Sequence, residues 1–182
     1  MARYSFKNIL GEARIYICNY IVGYIPSHTL RLWYYRNIMK FQIAQGASIH
    51  LGCKFGCTKY FSLGKNSTIN QNCHLDNRGG LFFGKNVSVS ARCAFITADH
   101  IMESSTFEGR GREVTVDCFV FIGYGATILG GVILGRGSVI AAGGLINKST
   151  EAYGIYAGVP AKKIKTRSSA LNYTTNYKRL FH

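Results

Sequence analysis

Apolar residues in this chain recur every six positions over long stretches, and that period organises everything else. IAQGASIHLGC (43–53), LGKNSTINQNC (63–73) and FGKNVSVSARC (83–93) align without gaps at a spacing of 20. Each opens on an apolar residue and repeats it six positions later, at Ile43 and Ile49, Leu63 and Ile69, Phe83 and Val89. A third follows after six more, at Phe55, Leu75 and Phe95, and two extra residues precede the next cycle. After an interruption the hexads resume without insertion at Ile122, Ile128, Leu134, Ile140 and Ile146. An amphipathic helix repeats every three to four residues and a half-buried strand every two, so neither accounts for a period of six. A coil that turns a corner every six residues does, with one aliphatic and one small residue per side pointing inward. Ser67, Cys73, Gly79, Cys93, Ala126, Ser138 and Gly144 supply the small residues, and Gly or Asn suits the corners. The fold expected is therefore mainly β, a parallel β-helix over residues 43–165.

The flanks do not share the period. Residues 4–40, within an N-terminal unit 1–42, read as two helices, the second starting at Pro26-Ser27 with Ser27 as N-cap. Leu30, Trp33, Tyr34 and Ile38 are expected to form one face of that second helix. A helical cap is expected because a β-helix leaves unpaired strand edges at its ends. A basic, aromatic-rich helix resting on a membrane is the other reading, and the two are compatible. The C-terminal stretch 166–182 reads as a basic tail, and residues 168–182 stay open between a helix and a loose segment.

Charge adds a partner requirement. The 182 residues carry a net charge of +14, which calls for an anionic ligand or surface. Nucleic acid is not expected, since no zinc-finger spacing, aromatic RNA-binding signature or basic zipper occurs. The bases instead gather at the two ends: Arg3, Lys7, Arg14, Arg31, Arg36 and Lys40, then Lys162, Lys163, Lys165, Arg167, Lys178 and Arg179. A phosphorylated cofactor or an anionic membrane fits that distribution. Residues 13–25 are too short to span a bilayer, and the expected location is the cytoplasm or the inner face of the membrane. Six cysteines in that compartment are expected as thiols, with Cys53, Cys73 and Cys93 in one column. No metal site is expected, because no paired-cysteine motif occurs and His50, His74 and His100 do not follow the 20-residue turn.

The interruption itself, ADHIMESSTFEGRGREV (98–114), is polar, Gly-containing and without hexads, so a loop over 101–113 should leave the coil. His100 stands at its base. A loop histidine by itself is more often a solvated side chain than a base. The run from LGKNSTINQNC to ITADH, with VFIGYGATILGGVILGRGSVIAAGGLINK and YAGVPAKKIK, resembles the hexapeptide-repeat acetyltransferases. Within them it is most similar to the maltose and galactoside O-acetyltransferases and to the sugar O-acetyltransferases of capsule and lipopolysaccharide assembly. IPSHTLR, near residue 25, is similar to the N-termini of the polysaccharide-modifying members.

That resemblance implies a left-handed β-helix, a homotrimer, acetyl-CoA as donor, and active sites between neighbouring subunits. It implies His100 as the general base for a sugar or glycan hydroxyl, in a direct transfer. Asn70 would help hold the acceptor hydroxyl, and Asp76 and Arg78 would orient His100 or bind sugar. For the donor it implies Gly123, Tyr124 and Ala142 along the groove, Asn147 and Lys148 beyond them, and Lys162 and Lys165 at the adenosine phosphates. Phe121 stands where Trp is frequent, Tyr124 where a smaller residue is, and the lysines where Arg is often found. An antibiotic or amino-sugar acceptor, or a non-catalytic scaffold, are the alternative readings.

Overall fold

In a computed structural model, which describes residues 5–176, the hexads wind into a three-sided parallel coil. The first side stacks β1 (Gln42–Ile43), β4 (Phe61–Leu63), β7 (Leu81–Phe83), β12 (Val114–Val116) and β15 (Ile133–Leu134). The second stacks β2 (Ser48–Ile49), β5 (Thr68–Ile69), β8 (Ser88–Val89), β13 (Phe121–Ile122) and β16 (Val139–Ile140). It is completed by the antiparallel pair β18 (Gly154–Gly158) and β19 (Ala161–Thr166). The third side holds β3 (Lys54–Phe55), β6 (His74–Leu75), β9 (Ala94–Ile96), β14 (Thr127–Leu129) and β17 (Leu145–Ile146). Register follows the sequence spacing. Partners are 20 apart in the early turns (Ile43 opposite Leu63) and 18 apart late (Ile122 opposite Ile140). Across the interruption they are 33 apart, Phe95 lying opposite Ile128.

The interior is three aliphatic and aromatic columns, one per side, buried along their length. Phe41, Phe55 and Phe61 pack ring against ring at the first coil, 4.8 to 5.1 Å between centroids. Small residues fill the corners. Cys53, Cys73 and Cys93 are buried free thiols, each donating to a carbonyl one turn on, at Asn70, Ser90 and Gly123. Hydrogen bonding within the column and burial raise the Cys73 and Cys93 thiols far above the ordinary range, so they are inert packing rather than nucleophiles.

Two helices cap the first coil, α1 (Phe6–Tyr20) and α2 (His28–Asn37), joined by a 3-10 turn at Val22–Tyr24. Ser27 caps α2, its hydroxyl accepting from the Leu30 N–H at 3.4 Å. The buried face of α2 is Arg31, Leu32 and Tyr35. The expected face is corrected in part: Leu30 and Trp33 point to solvent, while Tyr34 and Ile38 are part-buried, Tyr34 packing against the core beside the inward Arg31, Leu32 and Tyr35. The open edge of the first coil is closed by side chains as much as by packing. Arg31, fully buried, donates to Ile25 O and Ile49 O, and Arg36 donates to Ile43 O and Ala44 O. Asn19 pairs both ways with the Phe55 backbone at 2.9 Å. Such an edge would otherwise present unpaired carbonyl and N–H groups, so two of the N-terminal bases serve the fold itself.

The tail is neither helical nor loose as far as Asn176. It turns at Arg167 and runs back down the corner between the first and second sides. Tyr173 donates to Phe119 O at 3.1 Å, Thr175 donates to Asn66 O at 2.6 Å, and Thr68 donates to Thr175 O at 2.8 Å. Lys178 and Arg179 lie outside the described residues.

Candidate active site

The interruption is ordered. It forms an antiparallel hairpin of β10 (Ala98–His100) and β11 (Gly109–Gly111), so the excursion starts at Ala98 rather than 101, and the coil resumes at Val114. His100 sits opposite Gly109, at the outer end of the paired strands rather than at their foot.

Asp76 fixes the foot. Its side chain is almost wholly buried, and it accepts from Thr97 N at 3.1 Å, Ala98 N at 3.0 Å and Arg78 N at 3.2 Å. The Arg78 guanidinium adds bonds of 2.8 and 3.2 Å. Burial alone pushes this carboxyl up, yet the bonds from Arg78 and Ala98 hold it net below the ordinary carboxylate value. The Thr97 hydroxyl donates to Asp76 O and accepts from Gly79 N, both at 2.8 Å. Gly79 is required here, since a Cβ would meet Thr97 O at 2.4 Å and Arg112 N at 2.5 Å. Further out, Asp99 takes Arg110 at 2.6 and 3.1 Å and Arg112 at 2.9 Å across the hairpin. The Arg110 bonds foremost, then those of Arg112, lower the Asp99 carboxyl to about 2.

His100 is exposed, and its ring stacks on Phe107 at 4.4 Å between centroids with 3° between planes. Its Nδ1 lies 2.8 Å from Phe107 O. A carbonyl can only accept, so Nδ1 carries the hydrogen and the neutral ring keeps its lone pair on Nε2. Phe107 holds this geometry at a φ of +47°, a region where a bulky residue is an outlier and strain often marks a functional position. His100, Asp99, Arg110 and Arg78 line a concavity of about 440 Å³ with the backbone of Ala98, Gly109 and Gly111.

The expected residues divide between two corners. His100, Asp76 and Arg78 sit at the corner after the third side. Asp76, expected to orient His100 or bind sugar, has its oxygens on the hairpin foot and Arg78, and the group that orients the imidazole is Phe107 O. Asn70 lies at the preceding corner, its amide donating to Val89 O at 2.8 Å, and is not part of the concavity. Gly123, Tyr124 and Ala142 stack along that same corner, so closely that a Cβ on Gly123 would meet Ala142 N at 2.6 Å. Tyr124 is half-exposed, with the Arg92 guanidinium 6.0 Å from its ring. Asn147 and Lys148 follow β17 and are exposed, as are Lys162 and Lys165 on β19. Within one chain a face of the prism separates the imidazole from the Gly123 corner. Phe107, Thr97, Asp99 and Arg110 were not anticipated: they lie outside or at the edge of the hexads, and the one available signal was the Asp-His and Gly-Arg-Gly pairing across a polar insert.

No protein-family model matches the sequence. A probable macrolide acetyltransferase of Lysinibacillus sphaericus is 40% identical over 77 residues, 42% of this chain and 41% of the relative. A putative acetyltransferase of Saccharomyces cerevisiae is 30% identical over 130 residues, 70% of this chain and 65% of the relative. The chain thus spans less than two thirds of either relative. A hexapeptide-repeat acetyltransferase of Vibrio cholerae, solved with acetyl-CoA, superposes with a TM-score of 0.82 at 18% identity, over 91% of this chain and 92% of that one. A galactoside acetyltransferase solved with coenzyme A gives 0.77 at 22% identity, over 92% and 87%. At these identities the structural likeness is one of fold.

Proposed function

Because the chain has the left-handed β-helical fold of the hexapeptide-repeat acetyltransferases, we propose that it is an acetyl-CoA-dependent O-acetyltransferase acting on a sugar hydroxyl. The observation that carries this reading is the imidazole held by Phe107 O, with Nε2 free to take a proton beside a concavity. His100 Nε2 removes the hydroxyl proton as the oxygen attacks the thioester carbonyl. The new C–O bond forms, the C–S bond breaks, and the imidazolium returns its proton to the departing thiolate. Backbone N–H groups at the Gly123–Tyr124 turn are the donors suited to the developing oxyanion. Lys162 and Lys165 supply point charges for the adenosine phosphates.

The split between two corners favours an active site shared by neighbouring subunits, with His100 of one copy facing the Gly123 corner and Asn70 of the next. A homotrimer satisfies that requirement. The concavity's side chains are polar, Arg78, Asp99, His100 and Arg110, which suits a glycan acceptor in surface-polysaccharide synthesis better than an apolar one. The donor is a cytoplasmic metabolite, so the enzyme works in the cytoplasm or at the inner membrane face. The macrolide acetyltransferase relative supports a second reading, in which the acceptor is an antibiotic hydroxyl.

Incubation with labelled acetyl-CoA and a panel of sugars, amino sugars and macrolides tests the proposal. Label should pass to a sugar hydroxyl, and label found on macrolide alone supports the second reading. Thermal stabilisation by CoA should weaken roughly tenfold in concentration when Lys162 and Lys165 become Ala, as expected for losing charge-assisted bonds at exposed positions. No stabilisation of the wild-type chain by CoA would sink the enzyme reading altogether.

Phe107 yields a separate expectation. Phe107→Ala removes the stacked ring while leaving a backbone carbonyl at 107, so His100 keeps the acceptor for Nδ1 but loses the surface that holds its ring plane. Turnover should fall roughly 10- to 10²-fold, the scale of a misplaced catalytic group, with the donor KM little changed. Phe107→Tyr keeps the stack and should restore it. Equal loss in both variants would remove Phe107 from the argument.

A further inference from the structure

The first helix turns its apolar side outward. Phe6, Ile9, Leu10, Tyr16, Ile17 and Tyr20 are all exposed, Phe6 by 78% and Tyr16 by 62%. Their spacing of three and four puts them on one face of α1, with Ala13 between. The opposite side is anchored, Cys18 and Asn19 being buried against the first coil. Ile9, Ala13, Tyr16 and Ile17, with Asn8 and Glu12 at its polar edge, line an open groove of about 660 Å³ along the stripe. Ile21, Tyr24, Leu30 and Trp33, in the following turn and α2, are exposed as well. A helix face this apolar, left exposed on a folded chain, marks a contact surface.

The rim is basic. Lys54 Nζ lies 4.8 Å above the Tyr20 ring, Arg14 is exposed on the helix itself, and exposed Lys59 follows Thr58, which lines a depression with Gly11 and Glu12. Residues 1–60 contain eight Lys and Arg against one acid, Glu12, and six of the eight remain after Arg31 and Arg36, which bond the first coil. A second copy pressing the same face would bring like charges together. Tyr16, Tyr20, Tyr24 and Trp33 each pair an apolar ring with a polar tip, which suits the boundary between water and hydrocarbon. No helix among the described residues is long and apolar enough to cross a membrane, and α1 extends only about 22 Å.

We propose that the α1 stripe seats on an anionic lipid bilayer, the helix lying in the interface with its apolar side down and Arg14, Lys54 and Lys59 at the headgroups. This rests on the helix surface alone and is independent of the acetyl-transfer reading.

Co-sedimentation of the full chain with phosphatidylglycerol–phosphatidylcholine vesicles tests it, against phosphatidylcholine alone. Binding should require the anionic lipid and fall as salt rises. The triple variant Ile9→Ser, Tyr16→Ser, Ile17→Ser should bind roughly tenfold or more weakly, from loss of buried apolar area. Glu12→Lys should bind several-fold more tightly, on the order of the gain expected per added surface charge. Both variants should melt cooperatively with the circular-dichroism spectrum of the wild type, which shows that they fold. Wild-type chain that ignores anionic vesicles overturns the proposal, as does a triple variant that still binds fully. A triple variant that loses oligomeric mass, with no vesicle binding by either protein, assigns the stripe to a protein interface instead.

Discussion

His100→Ala is expected to leave the fold intact and to reduce acetyl transfer by roughly 10²–10⁴-fold, the range for a general base. The side chain is exposed, and its contacts are the bond to Phe107 O and the stack on the Phe107 ring, so no core packing is lost. A sugar hydroxyl is a poor nucleophile at neutral pH, and without an acceptor for its proton the attack on the thioester must proceed through a high-energy oxyanion or cation. His100→Asn sharpens the experiment. Its amide nitrogen lies where Nδ1 does and can still donate to Phe107 O, but it offers no basic lone pair, so it should be as inactive as the alanine variant. CoA should stabilise both variants as much as the wild type, because the residues proposed for the donor lie at another corner. A folded His100→Ala that transfers acetyl at near the wild-type rate would sink the assignment.

The parts of this architecture that rest on a repeating constraint were legible in sequence. Ile43, Leu63 and Phe83, or Ile122 and Ile140, occupy stacked positions because each turn buries the same slot, and the period records that directly. The helical cap was legible as a break in period together with Pro26-Ser27. Its facing was not. The side of α2 that turns inward carries Arg31, whose guanidinium reaches Ile49 O, a bond between segments that local apolar spacing cannot register. The tail was likewise opaque, since its course depends on Tyr173 and Thr175 finding carbonyls of Phe119 and Asn66 far away in the chain. At the site, His100 was visible because it stands where the repeat fails. Phe107 was not, because the partner of a hairpin histidine is set by strand pairing rather than by spacing from the coil.

Asp76→Ala is expected to be the most destabilising change at the site, and its pH dependence is the diagnostic. Removing the carboxylate strands the N–H groups of Thr97 and Ala98, at about 1–3 kcal/mol for each buried unsatisfied donor. For a chain of this size each kcal/mol corresponds to about 2–4 °C in Tm. Arg78→Ala should cost much less, about 0–1 kcal/mol, because the Arg78 side chain is 59% exposed and water replaces its partner. The sign with pH follows from the depressed carboxyl. Its folded value lies below the unfolded one, so its contribution is fully present above about pH 4, near the unfolded value, and is lost as pH falls through the folded value. Wild-type Tm should therefore drop over that acidic interval more steeply than that of Asp76→Ala. Catalysis separates a positioning role from simple loss of fold. Below its melting temperature, Asp76→Ala should show a reduced kcat with the donor KM retained, since the hairpin foot shifts His100 but leaves the Gly123 corner in place. Wild-type melting behaviour in Asp76→Ala, with unchanged acid sensitivity, would show that the hairpin is held by its other bonds, chiefly Arg112 N to Thr97 O at 2.7 Å and the Asp99–Arg110 pair.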